Sequence, residues 1–126
     1  MRTQRPLVTV EERLAAAADL LDGEVTDAGG LWSRATVWIL RLTVEQALDE
    51  LWWQVAPDLA RCSMRAQLLA LAPYTGARLA DRVSALWANL SRAGHHQDFE
   101  LAPTAAELRG WYTETTELVA ALARTT

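Results

Sequence analysis

The two histidines of the chain, His95 and His96, are adjacent, and they follow Asn89-Leu90-Ser91-Arg92-Ala93-Gly94 where the hydrophobic periodicity predicts the close of a helix. At about 100° per residue, Arg78, Arg82, Asn89, Arg92 and, if the helix persists, His96 fall on one polar strip and can converge on one anion. Arginine supplies a permanent planar cation suited to phosphate, and histidine exchanges a proton near neutral pH. Those are the parts needed to cleave RNA without metal. A base removes the 2′-OH proton, a cation stabilises the crowded phosphate, and an acid protonates the leaving 5′-oxygen. Arg92, His96 and His95 are therefore the candidate catalytic residues, with Asn89, Arg82 and Arg78 as candidate substrate-binding residues. The competing reading makes Arg82 and Arg92 solvated helix residues, with the histidines drawn to the negative end of a helix.

Other chemistry is less well supplied. Adjacent histidines point in different directions, and Asp98 and Glu100 would have to join them from a loop, whereas zinc needs three or four converging ligands. Neither a metal nor another cofactor is expected. Cys62 is the single cysteine, so no disulfide forms within the chain; pairing it with His96 as a nucleophile has no activating feature behind it, and a small buried hydrophobe is the expected role. Arg34, Arg41, Glu45 and Asp49 interrupt an otherwise apolar stretch. They either line a site facing the Arg92 and His96 strip, or form a partly exposed Arg41–Glu45 ion pair contributing a few tenths of a kcal/mol. Of the six tryptophans, Trp32, Trp38, Trp52, Trp87 and Trp111 fall on apolar stripes and are expected in the core, leaving Trp53 as the candidate exposed aromatic.

The elements that must position these groups are helical. Thr9-Val10-Glu11-Glu12 has the form of a capping box and opens an amphipathic helix that runs to Gly23 through Leu14, Ala17, Ala18 and Leu21. A loop over 23–30, rich in glycine and acidic residues, leads into a long helix from about Leu31 to Ala56. That helix is apolar over most of its circumference, hence central, and Pro57 ends it. A short helix over Ser63 to Leu71 is closed by Ala72-Pro73-Tyr74-Thr75-Gly76. From Ala77 to about Ala93, Leu79, Val83, Leu86, Trp87 and Leu90 form one stripe, with Gly94 expected as a left-handed C-terminal residue. After a loop over 95–103, Thr104-Ala105-Ala106-Glu107 caps a last helix that buries Leu108, Trp111, Tyr112, Leu118, Val119 and Leu122. No segment alternates at strand period. The expected fold is all-α, one domain over 1–126 built as a bundle of four to five helices, with 1–8 a flexible arm.

Composition narrows the function classes. About half of the 126 residues are apolar, and charged residues break every run that approaches the roughly 18 to 20 residues of a membrane span. No apolar segment follows the basic first residues as a secretory signal would require, and a cytoplasmic location is expected. All twelve basic residues are arginine, a bias attributable to a GC-rich genome. A net charge of −4 excludes a protein that coats nucleic acid with its whole surface. Yet from Arg61 to Arg92 five arginines stand against Asp81 alone, so a local basic surface remains.

Leu86-Trp87-Ala88-Asn89-Leu90-Ser91-Arg92-Ala93-Gly94-His95-His96, followed by Phe99-Glu100-Leu101-Ala102-Pro103, resembles the motif region of the HEPN domains. It is also similar to the nuclease extension of the unfolded-protein-response kinase sensors, in which an Arg-Asn pair precedes His-His. The long second helix and the Ser63 to Leu71 segment fit that layout. The resemblance implies a helical bundle, commonly a homodimer, that cuts RNA without metal in toxin or stress-defence systems, with Arg92 holding phosphate and His96 transferring the proton. It also implies a cognate antitoxin or nucleotidyltransferase as partner. In catalytic members four to six residues separate the arginine from the histidine; here three separate Arg92 from His96. That spacing keeps open a second function, a non-catalytic helical module that binds a protein or dimerises.

Overall fold

The computed structural model describes residues 8–22, 31–95 and 103–125. Helix α1 spans Val10–Leu21, α2 Leu31–Val55, α3 Met64–Leu69, α4 Ala72–Thr75, α5 Ala77–Gly94 and α6 Ala105–Arg124, with a 3₁₀ turn at Pro57–Arg61. The fold is an all-α bundle of four helices of twelve residues or more, with two short ones inserted between α2 and α5. No strand occurs among the described residues. The arm up to residue 7 and the loop over 23–30 lie outside them, as do 96–102, which include His96.

The helix starts follow local chemistry. The Thr9 hydroxyl accepts the Glu12 N–H at 3.0 Å while the Glu12 carboxylate accepts the Thr9 N–H at 3.0 Å. Thr104 and Glu107 repeat the exchange at 3.1 and 3.0 Å. Each such cap satisfies donors that would otherwise be orphaned, contributing about 0.5–2 kcal/mol. Pro57 offers no N–H to continue α2, and the chain turns through the 3₁₀ segment into Ser63, whose hydroxyl caps α3 by accepting the Ala66 N–H at 3.2 Å.

Helix α2 is the axis of the bundle, because its apolar circumference has to be covered on several sides. Leu40, Val44, Leu48, Leu51 and Trp52 are buried, and they share one core with Ala17 and Leu21 of α1, Val83, Leu86 and Leu90 of α5, and Leu108, Leu118 and Leu122 of α6. Burying each large aliphatic side chain stabilises the fold by about 1.5–3 kcal/mol. Polar ties fix the angles between helices. Arg13 donates to Gln46 at 2.7 Å, joining α1 to α2, and Arg109 of α6 donates to the Leu21 carbonyl at 3.0 Å. The buried hydroxyls of Thr36, Thr43 and Thr115 each donate to the carbonyl four residues back, which removes the cost of placing them inside.

Three local expectations are corrected. Gly94 is the last residue of α5 and keeps a negative φ; the chain turns at His95 instead, and the positive φ, 90°, belongs to Gly76 between α4 and α5. Among the tryptophans, Trp52 is fully buried, and Trp32, Trp87 and Trp111 pack against the core from its rim. It is Trp38, at 61% exposure, that faces water, while Trp53 is half-buried. Cys62 is exposed rather than an interior hydrophobe.

Candidate functional site

Helices α2 and α5 run antiparallel where they meet: Glu45 pairs with Trp87, while Arg41 and Val37, earlier on α2, lie nearest Gly94, later on α5. Between them is a cleft of about 310 Å³ lined by Arg34, Val37, Trp38 and Arg41 from α2 and by Leu90, Gly94 and His95 from α5. The α2 residues follow the i, i+3, i+4, i+7 pattern, so all four occupy one face. Val37 supplies a buried floor, and the other three raise two guanidinium groups and an indole around it.

At Gly94 the α5 backbone passes α2 at an ordinary packing distance. A Cβ built on it would stand 3.9 Å from Val37 Cγ1 and 4.0 Å from Arg41 Nη1, so a methyl group just fits and anything longer enters the cleft. His95 is exposed at the rim, where its backbone N–H reaches the carbonyls of Arg92 and Ala93 and closes the helix.

Arg41 is oriented from beneath. Its Nε lies 3.6 Å from Glu45 Oε2, with both side chains 29% exposed, and the same carboxylate oxygen accepts the Trp87 indole N–H at 2.9 Å. The expected i,i+4 pair of Arg41 and Glu45 is thus present, and it also braces α2 against α5. Arg41 Nε is buried without a hydrogen bond among the described residues, which leaves its guanidinium held by charge more than by a directed bond.

The polar strip on α5 is divided in two. Arg82 donates to Glu114 through Nε at 3.2 Å and Nη2 at 2.7 Å, and to Glu117 at 3.2 Å, so its guanidinium is committed to α6. Those carboxylate hydrogen bonds hold the Arg82 pKa above its ordinary value. Arg92, ten residues further and so about 15 Å along the axis, is exposed and donates to the Asn89 side chain at 2.5 Å. Arg78 is exposed one turn before Arg82. None of Arg78, Arg82, Asn89 and Arg92 lines the cleft, whereas His95 does. His96 lies outside the described residues.

What sequence reasoning underweighted is the α2 contribution. The Arg34, Trp38 and Arg41 spacing was legible, yet Trp38 reads as one more apolar position on a helix that is apolar nearly all round, and only the packing of α5 shows which face stays open. Chemically, two guanidinium groups, an imidazole and an exposed indole around an apolar floor can receive an anion attached to a flat ring.

Among the described residues, no cluster of His, Cys, Asp and Glu could hold a metal ion, and no helix is long and apolar enough to cross a membrane. Compared with protein-family models, curated proteins and solved structures, the chain matches none.

Proposed function

We propose that this chain is a HEPN-like helical domain that handles RNA in a toxin or stress-defence setting, with the α2/α5 cleft receiving the phosphate backbone. The observation that carries this reading is that Arg34 and Arg41 share one face of α2 and line a common cleft with His95. Guanidinium groups are suited to phosphate oxygens in a way that ammonium groups are not, because their planar fork matches two oxygens at once. A local cationic cleft also reconciles RNA handling with a net charge of −4, since few phosphates need be contacted. The resemblance around Asn89 to His96 adds a proton-transfer group, His96, next in the chain to the His95 that lines the cleft, and with it cleavage by attack of the 2′-oxygen on phosphorus and departure of the 5′-oxygen. Homodimerisation, an antitoxin or nucleotidyltransferase partner and a cytoplasmic location belong to the same proposal.

The test is a metal-free RNA assay on the purified chain, alongside His95→Ala, His96→Ala, Arg92→Ala and Arg41→Ala. Loss of cleavage or binding with unchanged thermal stability is expected. RNA handling indifferent to all four substitutions would remove the assignment.

A second reading, a non-catalytic interaction module, is favoured by the three-residue gap between Arg92 and His96 and by Leu69 and Tyr74, 78% and 41% exposed on α3 and α4. It expects no RNA turnover and a solution mass above the monomer. Association through exposed charge weakens as salt rises, whereas association through the apolar side chains does not.

A further inference from the structure

Deepening the interaction-module reading above, on which it rests, we infer that Leu69 of one copy of this chain seats in an acid-rimmed pocket formed by α1, α2 and α6 of a second copy, with Arg65 pairing at the rim. The starting point is the outward face of α3, which the fold does not use. Arg65, Ala66 and Leu69 are all exposed there, and Leu69, at 78%, is the barest large apolar side chain among the described residues. Arg65 lies four residues before Leu69, so the guanidinium and the aliphatic side chain stand side by side on one face. Among the described residues no carboxylate pairs with Arg65.

A matching receptor lies elsewhere on the bundle. A pocket of about 130 Å³ has Ala47, Leu51 and Leu122 as its buried floor and Glu11, Glu50 and Gln54 on its exposed rim, and no arginine lines it. An emptied leucine site in a protein interior measures about 150 Å³, so the pocket has room for one such side chain. Size, polarity and sign therefore agree: an aliphatic knob beside a cation meets an apolar floor beside two carboxylates. Helix α3 packs against α5 and the 3₁₀ turn, so a chain's own Leu69 stays outside its pocket, and a second copy brings the two together. No residue of either face lines the α2/α5 cleft, so the contact leaves that cleft open. One seated side chain and one ion pair make a small interface, and the association is accordingly weak and governed by concentration.

The experiment is sedimentation of the whole chain over a range of concentrations, beside Leu69→Ala, Leu69→Asp, Arg65→Glu and the rim variant Glu11→Arg/Gln54→Arg. The native chain's mean mass should rise above the monomer with concentration. Leu69→Ala should weaken association by roughly 10- to 100-fold, the equivalent of one buried aliphatic side chain. Arg65→Glu should weaken it at low salt and by less at high salt. Leu69→Asp and the rim variant should each stay monomeric. An equimolar mixture of those two should nevertheless form dimers, because one supplies an intact pocket and the other an intact Leu69. Every substituted side chain is exposed, so all the variants should melt close to the native chain.

Association of native strength in Leu69→Asp, or a mixture no heavier than its two components, overturns the inference and leaves self-association through another surface standing. A native chain that is monomeric at every concentration overturns both. A rim variant of unchanged mass whose residues 1–7 become open to proteolysis would give the pocket to the chain's own arm, and the inference falls.

Discussion

The indole N–H of Trp87 donates to Oε2 of Glu45 at 2.9 Å, tying α5 to α2 one turn inside the cleft that the two helices form. The same oxygen faces Arg41 Nε at 3.6 Å. One carboxylate thereby sets both the spacing of the cleft walls and the charge on one of them.

Separating those two roles gives the first prediction. Glu45→Gln keeps an acceptor for Trp87 and removes the negative charge beside Arg41, so it should melt close to native while binding RNA more tightly. Glu45→Ala also strands the indole N–H and should cost about 1 kcal/mol of stability. Melting curves and RNA titrations of the two variants distinguish the contributions; a Glu45→Gln variant that binds RNA more weakly would show that Arg41 is not the phosphate contact.

Two glycines should respond in opposite directions to one substitution. Gly76 has φ 90° and ψ 152°, a conformation open essentially to glycine alone, and nothing lies within 4 Å of a Cβ there. Gly76→Ala is therefore a test of backbone strain without collision, expected to cost about 1–3 kcal/mol. Gly110 lies inside α6 with equally open surroundings, and Gly110→Ala should stabilise by about 0.5–1 kcal/mol, raising the melting temperature by a few degrees.

Gln67 bridges the end of α2 to the chain entering α3: its carbonyl accepts the Trp52 indole N–H at 3.0 Å, and its amide donates to the Cys62 carbonyl at 2.9 Å. Trp52 is fully buried and meets the ring of Tyr74 edge-on, with centroids 5.3 Å apart. Gln67→Leu fills similar space but leaves the indole N–H without its acceptor, so a loss of about 1–3 kcal/mol is expected in denaturant unfolding. Near-native stability would mean that another acceptor reaches the indole.

Arg82 provides a control for the site. Because its guanidinium is held by Glu114 and Glu117, Glu114→Gln should lower the melting temperature at low salt, and the difference should shrink as salt screens the exposed network. Arg82→Gln should leave RNA affinity unchanged. A marked loss of affinity in that variant would return Arg82 to the substrate-binding set.

Much of the architecture was written in local signals. Thr9 with Glu12 and Thr104 with Glu107 announce helix starts because the residues that satisfy the orphaned donors are three positions away in the chain. Pro57 ends α2 because it lacks a donor of its own. The stripe through Val83, Leu86 and Leu90 identifies the buried face of α5 because a helix with one apolar side has one way to face a core. Helix α2 offers no such choice, being apolar nearly all round, and whether Trp38 or Trp53 meets water depends on where α5 and α6 pack against it.

The same dependence separates the candidate site from its sequence reading. The partners of Arg82 lie 32 and 35 residues away on α6, and Trp87 finds its acceptor 42 residues back on α2. Helical periodicity places a side chain on a face of its own element and carries no information about the element opposite. Helix identity was therefore decided by sequence, through bonds closed within one turn, while the cleft of Arg34, Trp38, Arg41 and His95 was decided by tertiary packing, because a cleft exists only once two helices have chosen which faces to bury against each other.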